Sequence, residues 1–248
     1  MGETEMTNRA RQAFYALAPG GWRYYVTLLH LPYTLWHLSY VAIGASLVPG
    51  LQAHRLVWGL VAFFLAMGVG AHALDELNGR PLKTKIPSVV LVLMASISIA
   101  GATAIGVGAA LAWTLWLVPF VVFGAFIAVA YTLELAGGFF HSDIWFALAW
   151  GAFPVLTAYV GAGGTLRVEA VLAAIFAAFL SAAQRLLSTR VRSIRRRVSE
   201  ISGSLVYADG RVEPIDERTL LAAPEAALRA LSVSVVALAI ALVVLRFS

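Results

Sequence analysis

Cysteine is absent from the 248 residues. That excludes disulfides, thiolate metal sites and a cysteine nucleophile, and it leaves the redox compartment open. Charge is scarce too: 12% of the residues are Asp, Glu, Lys or Arg, against about 25% in an ordinary soluble domain. With 60% hydrophobic residues and a mean hydropathy of +0.83, the chain falls outside that soluble class. Alternating apolar and polar segments of about ten residues are missing as well, which excludes an outer-membrane barrel and leaves a helical bundle. No internal repeat or low-complexity segment is found. Acids are the scarcer sign, 13 against 18 bases, for a net charge of +5. The surplus sits in loops beside apolar runs, so it is read as an orientation signal and a contact for anionic lipid head groups, with no nucleic-acid role. Residues 1–20 carry Glu3, Glu5, Arg9 and Arg11 and no short apolar stretch with a small-residue cleavage site, so no signal peptide is expected.

What the chain does have is long apolar runs. Seven of them, near 24–48, 56–74, 88–109, 113–131, 144–161, 168–187 and 226–245, approach the roughly 20 residues needed to cross a hydrocarbon core of about 30 Å. The expected fold class is all-α, a polytopic transmembrane helical bundle of seven spans. Its expected divisions are an N-terminal cytoplasmic segment 1–23, a six-span bundle 24–187, a basic cytoplasmic insert 188–225 and a seventh span with the C-terminus, 226–248. Residues 203–215 of the insert read as a small hairpin turning at Asp209-Gly210. With the N-terminus inside, 15 of the 18 Lys and Arg fall on the inner side and only Arg55, Arg167 and Arg246 outside. This obeys the positive-inside rule and puts the C-terminus outside.

The polar residues then cluster at one face. Residues 70–87 carry His72, Asp75, Glu76, Asn78, Arg80, Lys83 and Lys85 where the second run leaves the bilayer. Ionisable groups at that depth imply a functional site by default, and the spacing of His72, Asp75 and Glu76 puts them on one helical face. His30 and His37 lie in the first run, Tyr131, Glu134, His141 and Asp143 bracket the turn after the fourth, and Gln184 and Arg185 end the sixth. Only His54, of the five histidines, falls on the other side. The arginines from Arg190 to Arg197 serve either lipid contact or a phosphate-docking surface, for which guanidinium forks are suited.

Two stretches resemble the UbiA-type prenyltransferase superfamily, membrane enzymes that move an isoprenyl group from a diphosphate onto an acceptor. The first is Leu31-Pro32-Tyr33-Thr34 followed by residues 70–87. The second is Ala130-Tyr131-Thr132-Leu133-Glu134 followed by the aromatic, glycine-bearing run 145–154, with Trp145 and Trp150. The resemblance covers roughly residues 23–190. It implies magnesium held against a diphosphate by an Asn-Asp-x-x-Asp-x-x-x-Asp motif, and here that motif reads Ala71, His72, Asp75 and Gly79. A second acidic motif should follow the sixth span, yet residues 184–192 contain no acid, and the family typically has nine spans.

The resemblance implies an enzyme acting at the cytoplasmic face on an isoprenoid or related lipid. Asp75, Glu76 and Tyr131 are its expected catalytic residues. Asn78, Arg80, Lys83, Lys85, Arg185, Arg190 and Arg192 would hold the diphosphate, and Trp145 and Trp150 with Tyr131 would shelter an allylic cation. The alternative is a transition-metal site of His72, Asp75, Glu76, Glu134 and His141, with His37 above it, acting on a lipid or quinone-like substrate. Mixed imidazole and carboxylate ligands suit iron, zinc or manganese, whereas a diphosphate mechanism suits magnesium. The third reading is a non-catalytic subunit that binds a partner protein.

Overall fold

A computed structural model describes residues 16–248. The signal-peptide expectation and the charges Arg9 and Arg11 fall mainly or wholly outside these residues. The first apolar run is two helices rather than one, α1 (Arg23–Leu28) and α2 (Leu31–Ser46). Pro32 is the cause: inside a continuous helix it would remove one backbone bond and clash with the carbonyl four residues back. It sits instead in the first turn of α2, after His30 takes a left-handed conformation (φ 46°).

Six further helices follow: α3 (Ala53–Leu77), α4 (Ser88–Ala112), α5 (Leu115–Thr132), α6 (Asp143–Gly163), α7 (Val168–Arg197) and α8 (Glu217–Phe247). All six are long and apolar enough to cross a membrane. Their outer faces expose large apolar side chains such as Ile97, Phe179 and Leu245, as a lipid-facing belt requires. The chain is a multi-pass helical membrane protein. The 16 residues of α2 would reach only about 24 Å at about 1.5 Å per residue, and α2 is the most enclosed helix, buried almost continuously from Ser39 to Ser46.

Small residues set the closest approaches around α2. A Cβ at Gly44 would overlap the Val155 carbonyl of α6, and one at Gly151 would lie 2.6 Å from the Ala177 carbonyl oxygen of α7. In a membrane, where lipid is as apolar as leucine, such backbone contact is a main source of helix association. Helices α3 and α6 each contain a π-helical segment, Phe64–Ala71 and Ala147–Ala152. Extra residues of this kind rotate the faces on either side of them and are frequent at functional sites.

The three arginines that break the charge rule cluster at the end of the bundle away from the other basic residues. Arg55 donates to the Ala162 carbonyl (2.9 Å) and Arg246 to the Ser46 carbonyl (2.9 and 2.7 Å). Each thereby meets an orphan carbonyl at a helix C-terminus, where cations are favoured; Arg167 pairs with Glu169. At the opposite end α7 and α8 continue past their apolar portions. Arg195 donates twice to Glu225 (2.9 and 2.7 Å) and lies 3.8 Å from Glu217. The basic run is therefore helix as far as Arg197, and the stretch that sequence assigns to a soluble insert begins only after it. The hairpin is present, β1 (Ser204–Val206) against β2 (Val212–Pro214). Gly210 supplies the positive φ (83°) that closes its turn.

Candidate functional site

A cavity of about 330 Å³ opens at the end where α3 and α5 finish and α2 begins. Four distant segments of sequence supply it, and local backbone irregularities position its polar groups.

Pro154 has no N–H to give the Trp150 carbonyl, and that carbonyl faces His37 Nδ1 at 2.8 Å. His72 Nδ1 lies 3.2 Å from the Gly68 carbonyl inside the π-helical segment of α3, and His141 Nδ1 lies 3.0 Å from the Tyr131 carbonyl at the end of α5. A carbonyl oxygen can only accept, so Nδ1 carries the proton in each ring and Nε2 of the neutral form carries a lone pair. All three rings line the cavity, and His30 stacks on His72 with centroids 4.3 Å apart and planes 15° apart. A non-glycine residue with φ 46° is strained, and strain of this kind concentrates at ligand sites.

The opposite wall is cationic. Arg185, Arg192, Arg195 and Arg196 line it on one side of α7, and among the described residues Asp75 is the one carboxylate in its lining. Arg185 is held by Asp143 and also donates to the Tyr131 hydroxyl, with its guanidinium 5.1 Å from the centre of the Phe146 ring. Arg195 is held by the acids of α8. Among the described residues Arg192 and Arg196 form no ion pair, although the charge of each reaches Asp75. The wall thus carries positive charge that its own acids do not neutralise. Gln184, only 3% exposed, adds an amide oxygen with no hydrogen-bond partner.

The cavity brings together much of what sequence singles out: His37, His72, Asp75, Tyr131, His141, Trp150, Arg185 and Arg192. It leaves out the rest. Glu76 is 1% exposed and turned away, accepting from Leu82 N (2.9 Å), Thr84 N (2.7 Å) and the Thr84 hydroxyl (2.8 Å). Neighbouring helix positions diverge by about 100°, which is why Asp75 lines the cavity and Glu76 does not. Arg80 donates to the Ile86 carbonyl (2.6 Å) and Ser88 hydroxyl (2.8 Å), while Asn78 donates to the Thr132 carbonyl (3.1 Å). These three residues shape the 78–87 loop, whose Pro81 and Leu82 roof the cavity. Lys83, Lys85, Arg190 and Glu134 are exposed away from it, and Trp145 packs among Phe123, Phe139 and Phe140.

The expected metal ligands do not converge. Glu76 spends its lone pairs on the loop, Glu134 lies 4.0 Å from His141 on the outer side, and among the described residues no three His, Asp or Glu side chains are placed to hold an ion. Among the described residues the side chains named for the magnesium cluster and for the histidine-rich centre are not grouped around one point. Sequence reasoning gives Tyr33 and Phe146 no role of their own, and names Gln184, Arg195 and Arg196 only as members of the polar face and the basic run. The spacing of Gln184, Ser188, Arg192 and Arg195 at three and four residues holds the signal, once the helix is extended beyond residue 187.

Below the polar cavity lies a second, almost wholly apolar crevice of about 90 Å³ between α3, α4, α5 and α6. Met67 and Trp150 line both spaces. Fold and site define a multi-pass membrane protein with a cation-walled, histidine-bearing cavity beside an apolar crevice. Comparison of the chain with family models, with curated proteins and with solved structures gives no significant match.

Proposed function

We propose that this protein is a membrane enzyme acting from the cytoplasmic side on a lipid with a diphosphate head, in the manner of UbiA-type prenyltransferases. In this reading the N-terminus lies inside, and the first apolar run, α1 together with α2, makes the seventh crossing. The observation that carries the reading is that Met67 and Trp150 line both spaces, so that a cation-rich cavity and an apolar crevice lie on either side of the same two residues. A cavity of about 330 Å³ lies within the usual ligand range of about 300–1,000 Å³, and the two linings match the two ends of such a lipid.

In the proposed reaction the allylic carbon–oxygen bond breaks and the diphosphate leaves with the electron pair. Its growing charge is met by Arg192 and Arg196, the cavity arginines that form no ion pair among the described residues. The carbon left behind faces Tyr131, Phe146 and Trp150, whose rings stabilise positive charge while keeping water away, until a nucleophilic acceptor bonds to it and gives up a proton. Tyr131 meets Trp150 edge to face at 5.4 Å. Its hydroxyl is tied to Arg185, so the aromatic wall is fixed by the same residue that helps form the cationic one.

The test is equilibrium binding of labelled pyrophosphate and of a C15 or C20 allylic diphosphate to the full chain in nanodiscs. The expected outcome is tighter binding of the tailed ligand and at least about a tenfold loss for Arg192→Ala with Arg196→Ala, since one charged hydrogen bond contributes about 1.5–3 kcal/mol. Equal affinity in the wild type and the double variant would sink the reading.

A further inference from the structure

Three cations at the cavity end of the bundle lie outside the cavity itself. Arg23 opens α1, and Lys83 and Lys85 belong to the 78–87 loop. Among the described residues none of the three forms an ion pair. The loop turns its lysines outward by alternation, with Thr84 and Ile86 buried and Lys83 and Lys85 exposed. Thr84 is held inward by Glu76, and Ile86 by an apolar cluster in which Tyr24 and Leu28 of α1 pack beside Leu82 and Val90. That packing brings Arg23, next to Tyr24, to the same corner as the lysines. The neighbouring acids are occupied elsewhere: Glu76 is buried under the loop, and Asp75 lines the cavity.

The corner also lies where the bundle meets lipid. Just past Lys85, α4 begins at Ser88 and exposes Val89, Val92 and Leu93 from its first turns. Beside it Trp22 and Tyr25 are exposed, side chains with an apolar body and a polar tip that collect at head-group level. Cations among such rings match the phosphate of a glycerolipid, with the rings and valines against the glycerol and the upper acyl chains. A soluble anion would gain nothing from those apolar side chains. A zwitterionic head group brings its own cation to a corner with no free acid to receive it.

We infer that this corner is a binding site for an anionic phospholipid of the surrounding leaflet, its head group held by Arg23, Lys83 and Lys85 and its upper chains lying against Trp22, Tyr25 and the start of α4. The site is independent of what the cavity binds. It touches the cavity only through the loop, whose Pro81 and Leu82 form the roof.

Trp22 is the reporter. The full chain in phosphatidylcholine nanodiscs is given a minor fraction of either phosphatidylglycerol or phosphatidylcholine brominated in the upper chain. The difference between wild type and Trp22→Phe isolates the fluorescence quenched at Trp22. Brominated phosphatidylglycerol is expected to quench it with at least about tenfold higher apparent affinity, since one basic residue near an anionic head group contributes about fivefold. Lys83→Gln with Lys85→Gln should cut that preference to about twofold or less by the same reasoning. Arg190→Gln with Arg197→Gln removes equal charge from exposed positions of α7 and should leave the preference unchanged. Equal quenching of the wild type by the two lipids would overturn the site. So would a loss in the α7 variant as large as in the loop variant, because the effect would then belong to the field of the whole protein.

Discussion

Replacing Glu76 by Gln separates a catalytic carboxylate from a structural one. Glu76 is 1% exposed and accepts three hydrogen bonds: one on Oε2 from Leu82 N, two on Oε1 from Thr84 N and its hydroxyl. Gln keeps the shape and the helix propensity. Its amide oxygen can serve the two donors of Thr84, but its NH₂ then meets the Leu82 N–H, donor against donor. One charged bond is lost and a buried donor is stranded, for about 2–3 kcal/mol in all. The damage should be local, because the three bonds hold only the 78–87 loop. Hydrogen exchange is the assay: amide exchange at Leu82 and Thr84 should accelerate by about 30- to 160-fold, with the amides of α8 unchanged. Exchange at Leu82 and Thr84 within twofold of wild type would refute the reasoning and return Glu76 to the list of catalytic candidates.

Gly151→Ala should destabilise the bundle by about 1–3 kcal/mol, because the new methyl meets the backbone of Ala177 and Ala178 at 2.6–2.9 Å. Gly108→Ala, with nothing within 4 Å, should be neutral or slightly stabilising, and detergent-denaturation midpoints compare the two. Asp216 caps α8, its carboxylate accepting from Thr219 N and the Thr219 hydroxyl, both at 2.7 Å, and these bonds hold its pKa below the usual carboxylate value. Since the folded value is the lower one, the cap's contribution is complete above the unfolded pKa and is lost as pH falls through the depressed folded value. Exchange at Thr219 should accelerate over that acidic window in the wild type and be fast at every pH in Asp216→Ala.

The limits of sequence reading show at particular residues. Polar groups in an apolar chain mark the site, because burying them without purpose is costly, and so His37, His72, Asp75, Tyr131 and Arg185 are found one-dimensionally. Glu76 shows what that reasoning misses. Its neighbour Asp75 has the same chemistry and the same membrane depth, but about 100° of helix rotation sends one carboxylate into the cavity and the other under a loop. Arg80 and Asn78 mislead for the same reason, being donors to backbone carbonyls that no motif announces. Gln184 is placed at the polar face by sequence, but that its amide oxygen lacks a hydrogen-bond partner is something sequence cannot display.

Composition and run length, on their own, decide that this chain lives in a membrane as helices, since no other backbone arrangement of these apolar stretches satisfies its N–H and C=O groups in lipid. The grouping of bases and histidines beside particular runs fixes which end of the bundle carries the polar cavity. Which of those side chains meet is a matter of rotation and register. Pro32 splits the first run, two π-helical segments turn the faces of α3 and α6, and α7 continues as helix into its arginines. Those angular choices depend on how helices pack against one another, and packing exists only once the chain has folded.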